Sequence, residues 1–213
     1  MRIFFDFVRI LILTAFALVF ASCKNQLSFV LQDDDSIAFT AECNFDQGGA
    51  IQKLLQSVGT DFSELNLDEL KSGLEEEGFS KVEVFPSKSD GLVIKGLIPA
   101  DNEIVFQNNG VITFRLTNEN FRDFYNGCSP RLAAVFDMFL VPALSDDEEM
   151  QKLDEKGYLD LTASFYGQNF ADDLSKSSMK ISVQDKKKNI TEKTIYFASL
   201  FTSKKPVEIK SQN

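Results

Sequence analysis

Apolar and polar residues begin to alternate at Leu27. Leu27, Phe29 and Leu31 fall on one face, and Ile37, Phe39, Ala41, Cys43 and Phe45 on one face of the next run. A period of two over such lengths predicts two half-buried strands, with Asp33-Asp34-Asp35 as the turn between them. The period then changes. After Gly48-Gly49, the residues Ile51, Leu54, Leu55 and Val58 stand at helical spacing, which predicts a short helix over Ala50–Val58. A second helix carries its own punctuation: Asn66 as cap with Glu69 three residues on, Leu67, Leu70 and Leu74 as its stripe, and Gly78 as its stop. Val82 and Val84 begin a strand, Lys88-Ser89-Asp90-Gly91 turns it, and Leu92–Ile98 returns. A further hairpin is predicted over Glu103–Phe106 and Val111–Leu116, turned by Asn109-Gly110.

The middle of the chain reads as helical. Thr117 starts a segment through Phe121, Phe124 and Tyr125. Ser129-Pro130 starts another, with Leu132, Val135, Phe136, Phe139 and Leu140 on one face and Pro142 as its stop. Ser145 with Glu148 forms a capping box, and helical stretches follow over Tyr158–Tyr166 and Phe170–Ser177. The tail returns to alternation. Met179, Ile181 and Val183 predict one strand, Asp185–Asn189 its turn, and Ile195, Phe197 and Ser199 another strand. Strands, then helices, then strands predict an α+β fold: a largely antiparallel sheet with helices packed on one face. No internal repeat or linker divides the chain.

The first residues follow a different logic. Arg2 and Arg9 bracket a charged start, Ile10–Phe20 is uncharged, and the small residues Ala21 and Ser22 precede Cys23. Eleven apolar or neutral positions, at about 1.5 Å of rise each, would cover only about half a hydrocarbon core. The three sections are those of an export signal. Its end, Phe20-Ala21-Ser22-Cys23, resembles the lipobox of bacterial lipoprotein precursors. In that family the peptide is cut before the cysteine and the thiol is diacylated. Phe20 stands where the commoner pattern has Leu, a relaxed box of the kind spirochaete lipoproteins carry, and Asp6 in the charged start is a second departure. The resemblance implies a signal peptide over residues 1–22 and a lipid-anchored domain over 23–213, with Cys23 as the lipidated residue. Two or three acyl chains would anchor firmly, since one chain alone binds marginally. The hairpin around Asp33–Ser36, the helix and Gly-Phe exit over Leu67–Phe79, and the Asp90-Gly91 turn are together similar to small envelope lipoproteins of spirochaetes. That resemblance brings no catalytic residue with it.

With Cys23 acylated, Cys43 and Cys128 remain as a candidate disulfide in an exported compartment. A bridge between them would close a long loop and add about 4–5 kcal/mol in the chain-entropy model. Two buried thiols are the alternative.

Charge and composition narrow the chemistry. The 213 residues carry 32 acidic and 22 basic side chains, for a net charge of −10. A nucleic-acid binder shows the opposite balance, so no nucleic acid is expected. There is no histidine, which removes histidine acid–base catalysis, the Ser-His-Asp triad and the usual zinc sites. Carboxylates cluster at Asp33-Asp34-Asp35, Glu75-Glu76-Glu77, Asp146-Asp147-Glu148-Glu149 and Asp172-Asp173. None fits a calcium loop: Ile37 sits where a third oxygen ligand belongs and Ala38 replaces the glycine. No metal, cofactor or catalytic residue is therefore assigned. The 21 Phe, against four Tyr and no Trp, belong mainly to the core.

The expectation is a non-catalytic bacterial cell-envelope lipoprotein acting as a binding or assembly module. Its partners would be the membrane, through the acyl chains, and another envelope protein or a lipid. Two rivals predict different structures. A lipid-handling protein needs a Phe-lined cavity, and an envelope hydrolase needs two facing carboxylates, one with a raised pKa.

Overall fold

A computed structural model of the protein describes residues 25–44, 66–87, 91–127 and 130–211. The fold is α+β. Strands β1 (Asn25–Leu31) and β2 (Ile37–Asn44) form the first hairpin, followed by helix α1 (Leu67–Glu76), β3 (Ser80–Pro86) and β4 (Gly91–Leu97). A second hairpin, β5 (Val105–Asn108) and β6 (Val111–Leu116), leads into α2 (Asn118–Gly127) and α3 (Pro130–Met138). A 3-10 turn (Pro142–Leu144), α4 (Glu148–Gln151), α5 (Glu155–Tyr166) and α6 (Gln168–Lys176) complete the helical middle. The chain closes with β7 (Ser178–Gln184), β8 (Ile190–Tyr196), α7 (Phe197–Thr202) and β9 (Val207–Lys210).

Six strands form one sheet in the order β3-β4-β2-β1-β7-β8, and β5-β6-β9 form a smaller one. Every pairing is antiparallel except β1 with β7. That parallel seam joins strands whose facing residues are 154 apart in the sequence. Alternate residues of β1 are buried, and the register carries their face across the sheet: Leu27 lies opposite Ala41, which lies opposite Ile94. The smaller sheet and the helices pack on this inner face. Phe29 of β1 stacks on Phe114 of β6 with ring centroids 5.8 Å apart, joining the two sheets. Phe79, just after α1, meets Phe39 edge-on at 5.4 Å. One cluster of buried side chains takes in residues from Leu27 to Ile209.

The local signals explain most boundaries. The Asn66 carboxamide oxygen accepts from the Asp68 and Glu69 amides, satisfying two donors that α1 leaves open, and Asn66 Nδ2 donates to Glu69 Oε1 at 2.9 Å. Asn109 and Gly110 both hold positive φ (51° and 79°), the geometry of a tight hairpin turn. Thr117 and Asn120 bond reciprocally at the start of α2.

Three expectations need correcting, and one strand was not foreseen. Phe197 and Ser199 do not extend a strand: the chain turns helical at Phe197, and Phe197, Ala198, Leu200 and Phe201 all enter the core. The signal was present as an i, i+3, i+4 pattern of large apolar residues, masked by the alternation just before it. Ser145 is not the cap of the following helix. Its hydroxyl accepts from the Asp147 amide, and Asp147 caps α4 through the Glu149 amide. The third helix ends at Met138, before Pro142, and Leu140 takes φ 50°. Strand β9 went unforeseen, because its partner β6 is distant in sequence. The helix expected over Ala50–Val58 lies outside the described residues.

Candidate functional site

Among the described residues two places concentrate polar chemistry: a cleft beside Arg122 and the carboxyl of Glu77.

The cleft, of about 600 Å³, opens between α2, the 3-10 turn, α4 and the end of α7. Pro142, Ala143 and Phe201 give it an apolar floor, while Asn118, Arg122, Glu148, Gln151, Lys152 and Lys204 give it polar walls. Arg122 is fixed by its neighbours. Its Nε donates to the Ala143 carbonyl at 3.0 Å and a terminal nitrogen to the Ser145 carbonyl at 2.9 Å. Gln151 Nε2 donates to the same Ser145 carbonyl at 2.8 Å. The guanidinium therefore pins the chain between α3 and α4, as the carbonyl oxygens there have no helical partner. Lys152 is paired with Glu149 at 2.7 Å and Arg122 stands 4.0 Å from Asp146, so with Glu148 the charges around the cleft nearly balance. It can seat a polar group of mixed charge; nothing in its lining resembles a nucleophile with a base.

Glu77 caps the C-terminal end of α1, and its residue is only 5% exposed. Its Oε2 has no hydrogen-bond partner among the described residues. Burial, reinforced by the neighbouring Glu76, pushes the carboxyl up to about 7. The negative end of the α1 dipole acts in the same sense. A hydrolase would want one such acid, yet Glu76 beside it is exposed and Glu77 borders neither this cleft nor the smaller one between α5 and α6.

Several other acidic side chains hold turns and helix starts. Asp34 accepts from the Ser36 hydroxyl at 2.6 Å, which holds its carboxyl below the usual range. Asp154 caps α5 through the Gly157 amide, and Asp185 accepts from the Asn189 side chain and amide. At Asp34 and Asp185 such bonds hold the carboxyl below its usual range. Among the described residues no three His, Cys, Asp or Glu side chains converge as a metal site.

Of the residues singled out in the sequence, Cys43 is a fully buried free thiol, and burial pushes it up to about 12. Cys128, its expected partner, and Cys23, the expected lipidation site, lie outside the described residues. The phenylalanines pack on one another. Phe201 has the rings of Phe121, Phe139, Tyr158 and Phe197 around it at 6.0–6.2 Å. Among the described residues, Phe201 is the one Phe that also borders either cleft. The apolar stretch over Pro130–Leu144 sends Phe136, Phe139 and Val141 into the core. Among the described residues no helix is long and apolar enough to cross a membrane.

Sequence reasoning missed Arg122 and Lys204. Their cleft is assembled from four elements, and no local pattern announces it. No family model, curated protein or solved structure matches the chain.

Proposed function

We propose that the protein is a non-catalytic bacterial envelope lipoprotein, anchored through acyl chains on Cys23 and acting as a binding or assembly module against its membrane. One observation carries most weight: β1 begins at Asn25 and lies inside the sheet, between β2 and β7. Two residues of chain span at most about 7 Å, so a lipid on Cys23 would hold the sheet directly at the bilayer, with no tether between. The protein's net charge of −10 offers no attraction to anionic lipid, so attachment falls to the acyl chains. The Arg122 cleft supplies a preformed polar surface for a partner, and the packing of Phe ring on Phe ring favours a binding module over a lipid carrier.

Cys23→Ser tests the anchor. Metabolic labelling with palmitate, followed by membrane fractionation, should show the wild type labelled and sedimenting with membrane, and the variant unlabelled and released. Continued membrane association of Cys23→Ser after removal of its signal peptide would overturn the reading.

A further inference from the structure

We propose that the sheet end at the start of β1 is the membrane-facing surface of the folded domain, with Tyr196 seated among the lipid headgroups. The inference rests on the Cys23 anchor.

The strand register locates Tyr196. Asn25 aligns with Met179 of β7, and Met179 pairs with Ile195 of β8. Tyr196 lies one residue beyond, opposite Ser178, at the end of the sheet where β1 begins. β8 is two strands from β1, or about 10 Å at ordinary strand spacing. Tyr196 therefore stands at the end of the sheet where β1 begins, and Cys23, two residues before that start, is within about 7 Å of Asn25 by chain length alone.

Exposure and chemistry agree with the position. Tyr196 is 49% exposed, in a chain with four Tyr and no Trp. Tyrosine suits a boundary where one end of the ring is apolar and the hydroxyl stays wet. Phe85, 36% exposed and with the Lys95 ammonium 5.3 Å over one face of its ring, sits near the same end on the opposite edge strand. It pairs with Val93, one residue in from the row of Leu92, Cys43 and Asn25. Sheet twist turns that edge away from the β1 axis, which makes Phe85 the secondary contact.

The other end of the sheet differs. There the 32–36 and 185–189 turns are joined by Lys186, which bonds the Asp33 carbonyl and the Asp35 carboxylate, each at 2.9 Å. Desolvating such charges against a bilayer would be costly. One exposed apolar residue, Ile190, stands at that end on the same strand as Tyr196 and is 57% exposed. The two positions make β8 a ruler about 20 Å long at ordinary strand rise.

The lipidated full-length protein carrying Tyr196→Trp or Ile190→Trp has a single tryptophan. Each variant is reconstituted into phosphatidylcholine vesicles with or without brominated acyl chains, and tryptophan emission is read after flotation. Trp at 196 should shift to the blue and lose at least half its intensity to bromine, while Trp at 190 should change by less than a tenth. Phe85→Trp is the second reporter and should be quenched to an intermediate degree. Co-flotation without quenching at 196, or equal quenching at 196 and 190, overturns the membrane-facing rim while leaving the anchor intact. Failure of the lipidated protein to co-float overturns the anchor and the rim together.

Discussion

The phenol of Tyr158, on α5, donates to the backbone carbonyl of Phe139, just past the end of α3, at 2.6 Å inside the core. The residue has no exposure, and burial holds its hydroxyl well above the ordinary range, so it remains a donor at any working pH. One buried bond thus fixes α5 to the end of α3.

Tyr158→Phe keeps the ring and removes the buried hydroxyl that donates to the Phe139 carbonyl. A loss of about 1–3 kcal/mol is expected, with Tm falling by roughly 2–4 °C per kcal/mol in a chain of this size. Tyr196→Phe, at an exposed position, should leave Tm within about 1 °C. Thermal unfolding followed by circular dichroism measures both.

Gly96 faces Phe39 across the β2–β4 pair. A Cβ there would stand 2.9 Å from Phe39 Cε1 and 3.2 Å from the Ser80 carbonyl oxygen. The Phe39 ring is itself held edge-on by Phe79, so it cannot move without disturbing the exit from α1. Gly96→Ala should cost about 1–3 kcal/mol by overpacking, read as a lowered urea midpoint with an unchanged slope.

Glu77 links stability to pH. Its folded carboxyl titrates near 7, against an ordinary 4.5. Between these values the folded state holds more protons than the unfolded one, so stability falls as pH rises through the window and levels off above it. Glu77→Gln removes that dependence. The variant should unfold at a higher urea concentration than wild type at pH 8, with the gap closing toward pH 5. A gap of the same size at both pH values would disprove the assignment.

Cys43 should be inert in the native protein, because its thiol is buried and pushed up to about 12. Iodoacetamide at pH 8 should leave it unmodified, and adding denaturant alone should expose it. If labelling also requires a reductant, Cys43 is bridged, and peptide mapping would show whether Cys128 is the partner.

Much of the architecture was legible because it is set within a few residues of chain. Asn66 bonds the amides of its own helix, Asn109-Gly110 supplies the positive φ of its own turn, and alternation from Leu27 to Leu31 names the buried face of β1. These features depend on side-chain geometry and backbone sterics next door. Signals beyond Tyr196 conflicted locally: the same letters allow an alternating strand or a helical stripe, and the core around Phe201 selects the helix.

By itself, then, the sequence determined the α+β class, most element types and the excess of acid, since each follows from short-range pattern or simple counting. Tertiary structure alone decided that β1 lies beside β7 in parallel, that β9 completes a second sheet, and that Arg122 meets the carbonyls of Ala143 and Ser145. It also decided that Glu77, the last of three adjacent glutamates, loses its water while Glu76 keeps its own. Pairing, burial and titration depend on which surfaces meet after long loops close, and no short window of sequence contains both partners of such a meeting.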